Sequence, residues 1–122
     1  MPNPLGTRSD LMAKPDTRKR HLSMARQQLI VMAQRLCFGT IHCLQLREGE
    51  PVLAPPPRVV RRKKTGGPNQ PRPEADVPDF VLKHEWLDLF QDMDAIQNGS
   101  ILSIQVAHGL PIVYEFEDQI PV

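Results

Sequence analysis

The chain has 122 residues, of which 40% are hydrophobic and 24% charged, and its formal net charge is +1. That length suits one domain rather than two, with a core that folds without metals or disulfides. No apolar stretch reaches the length of a membrane span, and Met1 to Pro15 lacks the apolar run of a signal peptide.

The small net charge conceals a polarity. Residues 1–64 hold 13 Lys/Arg and 4 Asp/Glu, a balance of +9, while residues 65–122 hold 2 and 10, a balance of −8. Such a split fits an acidic partner for the basic half, or halves that attract each other within the fold or in a head-to-tail dimer. Cys37 and Cys43, two thiols six residues apart across a helix-to-strand junction, do not make a disulfide framework. Both read as small core residues, and this points to a reducing cytoplasm.

Residues 1–15, with Pro2, Pro4, Gly6 and Pro15 and little to bury, read as a disordered arm. The domain then covers 16–120. A first helix is expected to begin near Asp16 or Thr17, either of which can cap free amides. Leu22, Ala25, Leu29, Met32 and Leu36 recur at helical spacing, and Ile30, Val31 and Ala33 widen the stripe. Gly39 ends that helix. Thr40 to Leu46 reads as a strand, Arg47 to Glu50 as a turn whose Gly49 supplies a positive φ, and Pro51 to Leu53 as a short return strand. Pro55-Pro56-Pro57 is extended because each ring fixes φ and removes an amide donor. Val59-Val60 opens another extended piece.

Residues 61–78 read as a long loop with four consecutive cations, a Gly-Gly pair and four prolines. With the triple proline it makes a basic, Pro-rich connection over 55–78. A second helix follows from about Asp79 to Asn98, with Leu82, Trp86, Leu89, Phe90, Met93 and Ile96 inside and Glu85, Asp88, Asp92 and Asp94 outside; Asn98-Gly99 stops it. A closing hairpin has Leu102, Ile104 and Val106 on one face, a turn at His108 to Pro111, and Ile112, Tyr114 and Phe116 on one face of its second strand. No repeat of 20–50 residues is present. Helix-then-strand-pair nevertheless occurs twice, so the fold expected is α+β, α-β-β-α-β-β, with two helices on a mainly antiparallel sheet.

Phe38 to Ile41, Gly49 to Val52, Pro55 to Val60, Gly66-Gly67, Pro71 to Glu74 and Gly99 to Pro111 together resemble a pattern in short bacterial proteins of unassigned activity. The likeness covers 38–117. It implies only that the Pro-rich connection is a regular part of the fold.

The chemistry legible in the chain is sparse. Gly66-Gly67 is not followed by Lys-Ser/Thr and a helix, so it fails the phosphate-loop pattern, and there is no G-x-S-x-G. His42 and Cys43 are adjacent on a strand and are expected to point to opposite faces. His21, Cys37, His42, Cys43, His84 and His108 show no metal-ligand spacing, so neither a metal nor a cofactor is expected. The candidate contact residues are Arg58, Arg61, Arg62, Lys63, Lys64 and Arg72, clustered in or near the long loop. They fit a small non-catalytic binding or adaptor protein that contacts a protein partner or a second copy of itself. A nucleic-acid-binding accessory protein using the same loop plus Lys14 to Arg20 is the alternative, although the loop lacks aromatics for base stacking. A third reading is a small enzyme or ligand-binding module with a pocket near His42 or His108.

Overall fold

The computed structural model describes residues 17–67 and 70–118. The arm expected over 1–15 lies outside the described residues, as do the ends of the expected 16–120 domain. In chain order the elements are α1 (Met24–Leu36), β1 (Gly39–Arg47), β2 (Glu50–Val52), β3 (Arg58–Arg61), α2 (His84–Ile96), β4 (Gly99–Ala107) and β5 (Leu110–Phe116), with 3-10 turns at Lys19–His21 and Pro73–Asp76. The α+β fold expected from the sequence is present: two helices and a wholly antiparallel sheet in the order β2-β1-β4-β5. β3 also pairs with β1, on the edge that β2 begins. Between β2 and β3 the chain swings out through Pro55-Pro56-Pro57, with a cis Ala54–Pro55 bond.

Both helices bury one stripe. α1 contributes Leu29, Ile30, Ala33 and Leu36, and α2 contributes Trp86, Leu89, Phe90 and Met93. They meet Ile41, Leu44 and Leu46 of β1 and Ile101, Ile104 and Val106 of β4. The first helix starts later than its periodicity suggests. Ser23, not Asp16 or Thr17, is the cap, and its side chain accepts from the Arg26 amide at 3.2 Å. Thr17 to Lys19 are drawn instead into pairing with the approach to α2: the Lys19 amide donates to the Phe80 carbonyl and the Leu82 amide to that of Thr17. α2 likewise begins at His84 rather than Asp79, because residues 80–82 are committed to that pairing.

Asp79 anchors this join. Its carboxylate accepts from Arg18 Nε at 2.8 Å and from the Arg20 amide at 3.1 Å. Desolvation works against the charge, but these hydrogen bonds and the two guanidinium charges outweigh it and hold the carboxyl below its usual range. A depressed acid stabilises the fold fully above its unfolded pKa of about 3.9 and ceases to as the pH falls through the folded value. Asp79→Asn should therefore lower stability at neutral pH and flatten the acid limb of the unfolding profile below about pH 4. Acid limbs of equal slope in variant and parent would refute this.

The two α-β-β units repeat at a constant offset of 60 residues. α1 and α2, β1 and β4, and the two hairpin turns all correspond by it. So does the backbone: Cys37 and Gln97 have φ of 65° and 64°, Glu48 and His108 53° and 54°, Gly49 and Gly109 79° and 73°. Each helix ends in a γ-turn, with Phe38 N–H bonded to the Leu36 carbonyl and Asn98 N–H to that of Ile96. Positive φ at both central residues makes each hairpin turn of the primed kind that suits twisted strands. The central pairing maps onto itself: Ile41 pairs with Ile104, and its equivalent Ile101 pairs with Leu44. A pseudo-two-fold axis therefore passes through the sheet between β1 and β4.

Strand alternation slips once in each unit, at the axis. Ile41 and Leu44 are both buried, as are Ile101 and Ile104. Leu102 consequently leaves the face expected for it and is 41% exposed, so the inward set on β4 is Ile101, Ile104 and Val106. Ile112 falls at a register shift opposite Gln105 and Val106 and is also exposed, leaving Tyr114 and Phe116 to pack inward.

Candidate functional site

Where the two units differ, a groove opens. In the second unit β5 lies close on α2: Tyr114 and Phe116 stack at 6.1 Å and pack against the core, and Tyr114 Oη donates to Asp92 of α2. Partial burial and the neighbouring carboxylates Asp92 and Asp88 hold the phenol protonated well beyond its usual range. In the first unit the Pro-rich excursion removes the counterpart of Tyr114. Phe116 pairs with Ile101 and Val59 pairs with Ile41, so by the 60-residue offset Val59 takes the place of Phe116. A valine cannot cover the helix flank as a phenylalanine does. The result is a groove of about 610 Å³ between α1 and β3, floored by Val31, Met32, Leu36 and Val59 and extended by Met24 and Pro78. Met24 is 69% exposed.

Cations rim this groove. Arg35 has a side chain 66% exposed, with Asp76 no nearer than 4.0 Å. Arg61 lies at the end of α1, where its Nη1 donates to the Leu36 carbonyl at 2.8 Å and to that of Arg35 at 3.4 Å. A guanidinium there satisfies the last carbonyls and opposes the negative end of the helix dipole. Lys19, also in the lining, is buried and donates to the Val77 carbonyl at 3.0 Å. Desolvation lowers its pKa, partly offset by Asp79.

The candidate contact residues do not form one patch. Arg61 lines the groove. Arg58 lies on the opposite, helix-free face of the sheet, in register with His42, because the two arginines are an odd number of residues apart on one strand. Arg62, Lys63 and Lys64 follow β3 and are exposed. Arg72 lies beneath the second hairpin turn, its amide bonded to the Gln34 carbonyl and its Nε 3.3 Å from Glu74. Within the expected loop two short elements are present: β3 reaches Arg61 and a 3-10 turn occupies Pro73–Asp76.

Two expectations about the histidines and cysteines need correction. Cys37 is buried, but Cys43 is exposed. Cys43 has φ of 54°, and this break in alternation puts it on the same side as His42: both line a 370 Å³ notch with Gln45, Pro55, Pro56, Pro57 and Arg58. His108 sits in the second turn, edge-on to Phe38 at 4.8 Å. Among the described residues no group of three or more His, Cys, Asp or Glu is placed to hold a metal, and no helix is long and apolar enough to cross a membrane.

The groove's signal in the sequence is Val31 and Met24, which extend the apolar surface of α1 beyond what one sheet contact covers. Neither protein-family models, nor curated proteins, nor solved structures match the chain.

Proposed function

We propose that this protein is a non-catalytic binding module whose groove between α1 and β3 receives an acidic segment of a protein partner bearing apolar side chains. The observation that carries this is the contrast between pseudo-equivalent positions: Phe116 packs against the core and stacks on Tyr114, which is hydrogen-bonded to α2, whereas Val59 lines a groove beside α1. An apolar floor with Arg35 and Arg61 at its rim complements a helix or extended segment with Leu or Phe on one side and Asp or Glu on the other. Arg62, Lys63 and Lys64 continue from the rim and extend the same field.

The test is anisotropy with a labelled peptide of alternating leucine and glutamate clusters, a lysine-substituted control, and labelled single-stranded DNA and RNA. Val59→Phe restores the ring that the second unit has, so it should fill the groove, keep the fold, and weaken the acidic peptide by about tenfold or more. Arg35→Glu should weaken it too. Peptide binding unchanged in Val59→Phe would sink the groove as the site. Salt-sensitive nucleic-acid binding lost on replacing Arg62, Lys63 and Lys64 by Ala would favour the nucleic-acid reading instead.

A further inference from the structure

Among the described residues the helices cover one face of the sheet only. On the other face, strand pairing lines up a row of four residues: Arg58 of β3 with His42 of β1, His42 with Ser103 of β4, and Ser103 with Glu115 of β5. Ser103 Oγ donates to Glu115 Oε1 at 2.8 Å. The row thus begins with a cation at one edge of the sheet and ends with an anion at the other. Beside it lie Val60 at 44%, Leu102 at 41% and Val113 at 47% exposure.

We propose that this face packs against the same face of a second copy, about a two-fold axis parallel to the strands. That axis carries the β3 edge of one copy over the β5 edge of the other. Arg58 then faces Glu115 of the other copy, twice by symmetry, His42 faces Ser103, and Val60 meets Val113. An axis across the strands would set Arg58 edges on each other and Glu115 edges on each other, so the charge row selects the first arrangement. Sheets stack in this way at about 10 Å, with their strands some 30° apart. Four strands about 4.8 Å apart and roughly seven residues long make a face of about 19 by 23 Å. This is the small end of specific interfaces, so the dimer is a weak one in which two ion pairs carry weight.

The experiment is sedimentation of the full chain under reducing conditions, from low to high micromolar concentration, on the parent, Arg58→Glu, Glu115→Arg and the double swap. Each single change puts like charges together and should weaken association by about tenfold or more, and the swap should restore it to within a few-fold of the parent. Circular dichroism keeps a loss of association distinct from a loss of folding, and both side chains are exposed. Cys43 provides a second readout. It is the exposed thiol on this face, while Cys37 is buried, so its alkylation should slow as the parent concentration rises and stay constant in the single variants. A parent that stays monomeric throughout, single variants that associate as the parent does, or a swap that fails to rescue would each overturn the proposal. Val59 lies on the other side of the sheet, so the groove and this face fail or stand separately.

Discussion

Replacing Gly39 by Ala is expected to destabilise the fold by about 3–4 kcal/mol, and the same change at Gly99 by about 1 kcal/mol. The two glycines are equivalents, with φ of 158° and 157°, so the intrinsic backbone cost cancels between them. What differs is the neighbour. A Cβ at Gly39 would stand 2.2 Å from the Val60 carbonyl oxygen, 2.9 Å from Leu36 Cδ1 and 3.1 Å from Arg61 Cα. Two of those three contacts are backbone and cannot rotate away. At Gly99 the Cβ would meet, among the described residues, only Ile96 Cγ2, at 3.3 Å, the end of a side chain that can shift. The cause is topological: β3 runs on to Arg61, opposite Gly39, whereas among the described residues β5 is paired as far as Phe116, opposite Ile101. Relief of the clash would push β3 outward and take Arg61 off the end of α1, so the substitution should also disturb the groove. Thermal unfolding of the two variants measures this directly. Gly39→Ala should melt roughly 10 °C or more below the parent, and losses of equal size at both positions would refute the argument.

The same contrast explains what was legible in the sequence. Apolar periodicity located both helices and both hairpins, because Leu29, Ile30, Leu89 and Phe90 must face a sheet whatever the details. The turns at Gly49 and Gly109 were legible through glycine. The helix starts were not, because Thr17 to Lys19 and Phe80 to Leu82 exchange hydrogen bonds across more than 60 residues, and no local capping preference encodes such a partner. Nor was the alternation slip at the pseudo-axis, which goes with positive φ at a non-glycine, Cys43, in the first unit and with a register shift between Ile101 and Ser103 in the second. The repeat was visible only as a matching order of elements. Few side chains recur at the offset of 60, among them Leu29 and Leu89, Ile41 and Ile101, Pro51 and Pro111. What recurs more widely is backbone conformation at the helix ends and hairpin turns, though not at Cys43, whose equivalent Ser103 has no positive φ.

The candidate site was legible in part. The cations clustered in sequence were evident, but a strand divides them. Val59-Val60 flanked by arginines reads as a four-residue strand only once β1 is there to pair with it, and pairing then sends Arg58 and Arg61 to opposite faces. A single charge run is thereby split between two surfaces, with Arg61 in the groove beside α1 and Arg58 on the opposite face of the sheet. The groove follows from a comparison that no single stretch of sequence contains, that of Val59 with Phe116.

Trp86→Ala should cost about 4 kcal/mol, and Trp86→Phe about 1 kcal/mol or less. Trp86 is 1% exposed and stacks on Phe90 with ring centroids 5.7 Å apart, at the start of a helix whose cap residue, Lys83, makes no side-chain capping bond. The first turn of α2 is therefore held by burial, and truncation to Ala removes the largest fully buried side chain of the core and leaves a cavity. Phenylalanine keeps the stack and most of the volume. It also removes a liability: the indole Nε1 is buried with no hydrogen-bond partner among the described residues, and an unsatisfied buried donor costs about 1–3 kcal/mol. Gain and loss nearly cancel. The chain has a single tryptophan, so the unfolding of both variants must be followed by circular dichroism rather than by fluorescence. Urea unfolding with unchanged m-values would show that the difference in midpoint reports the native core rather than the denatured state. Should Trp86→Phe prove as damaging as Trp86→Ala, the indole nitrogen must be making a bond that this packing does not provide, and the balance drawn here would be wrong.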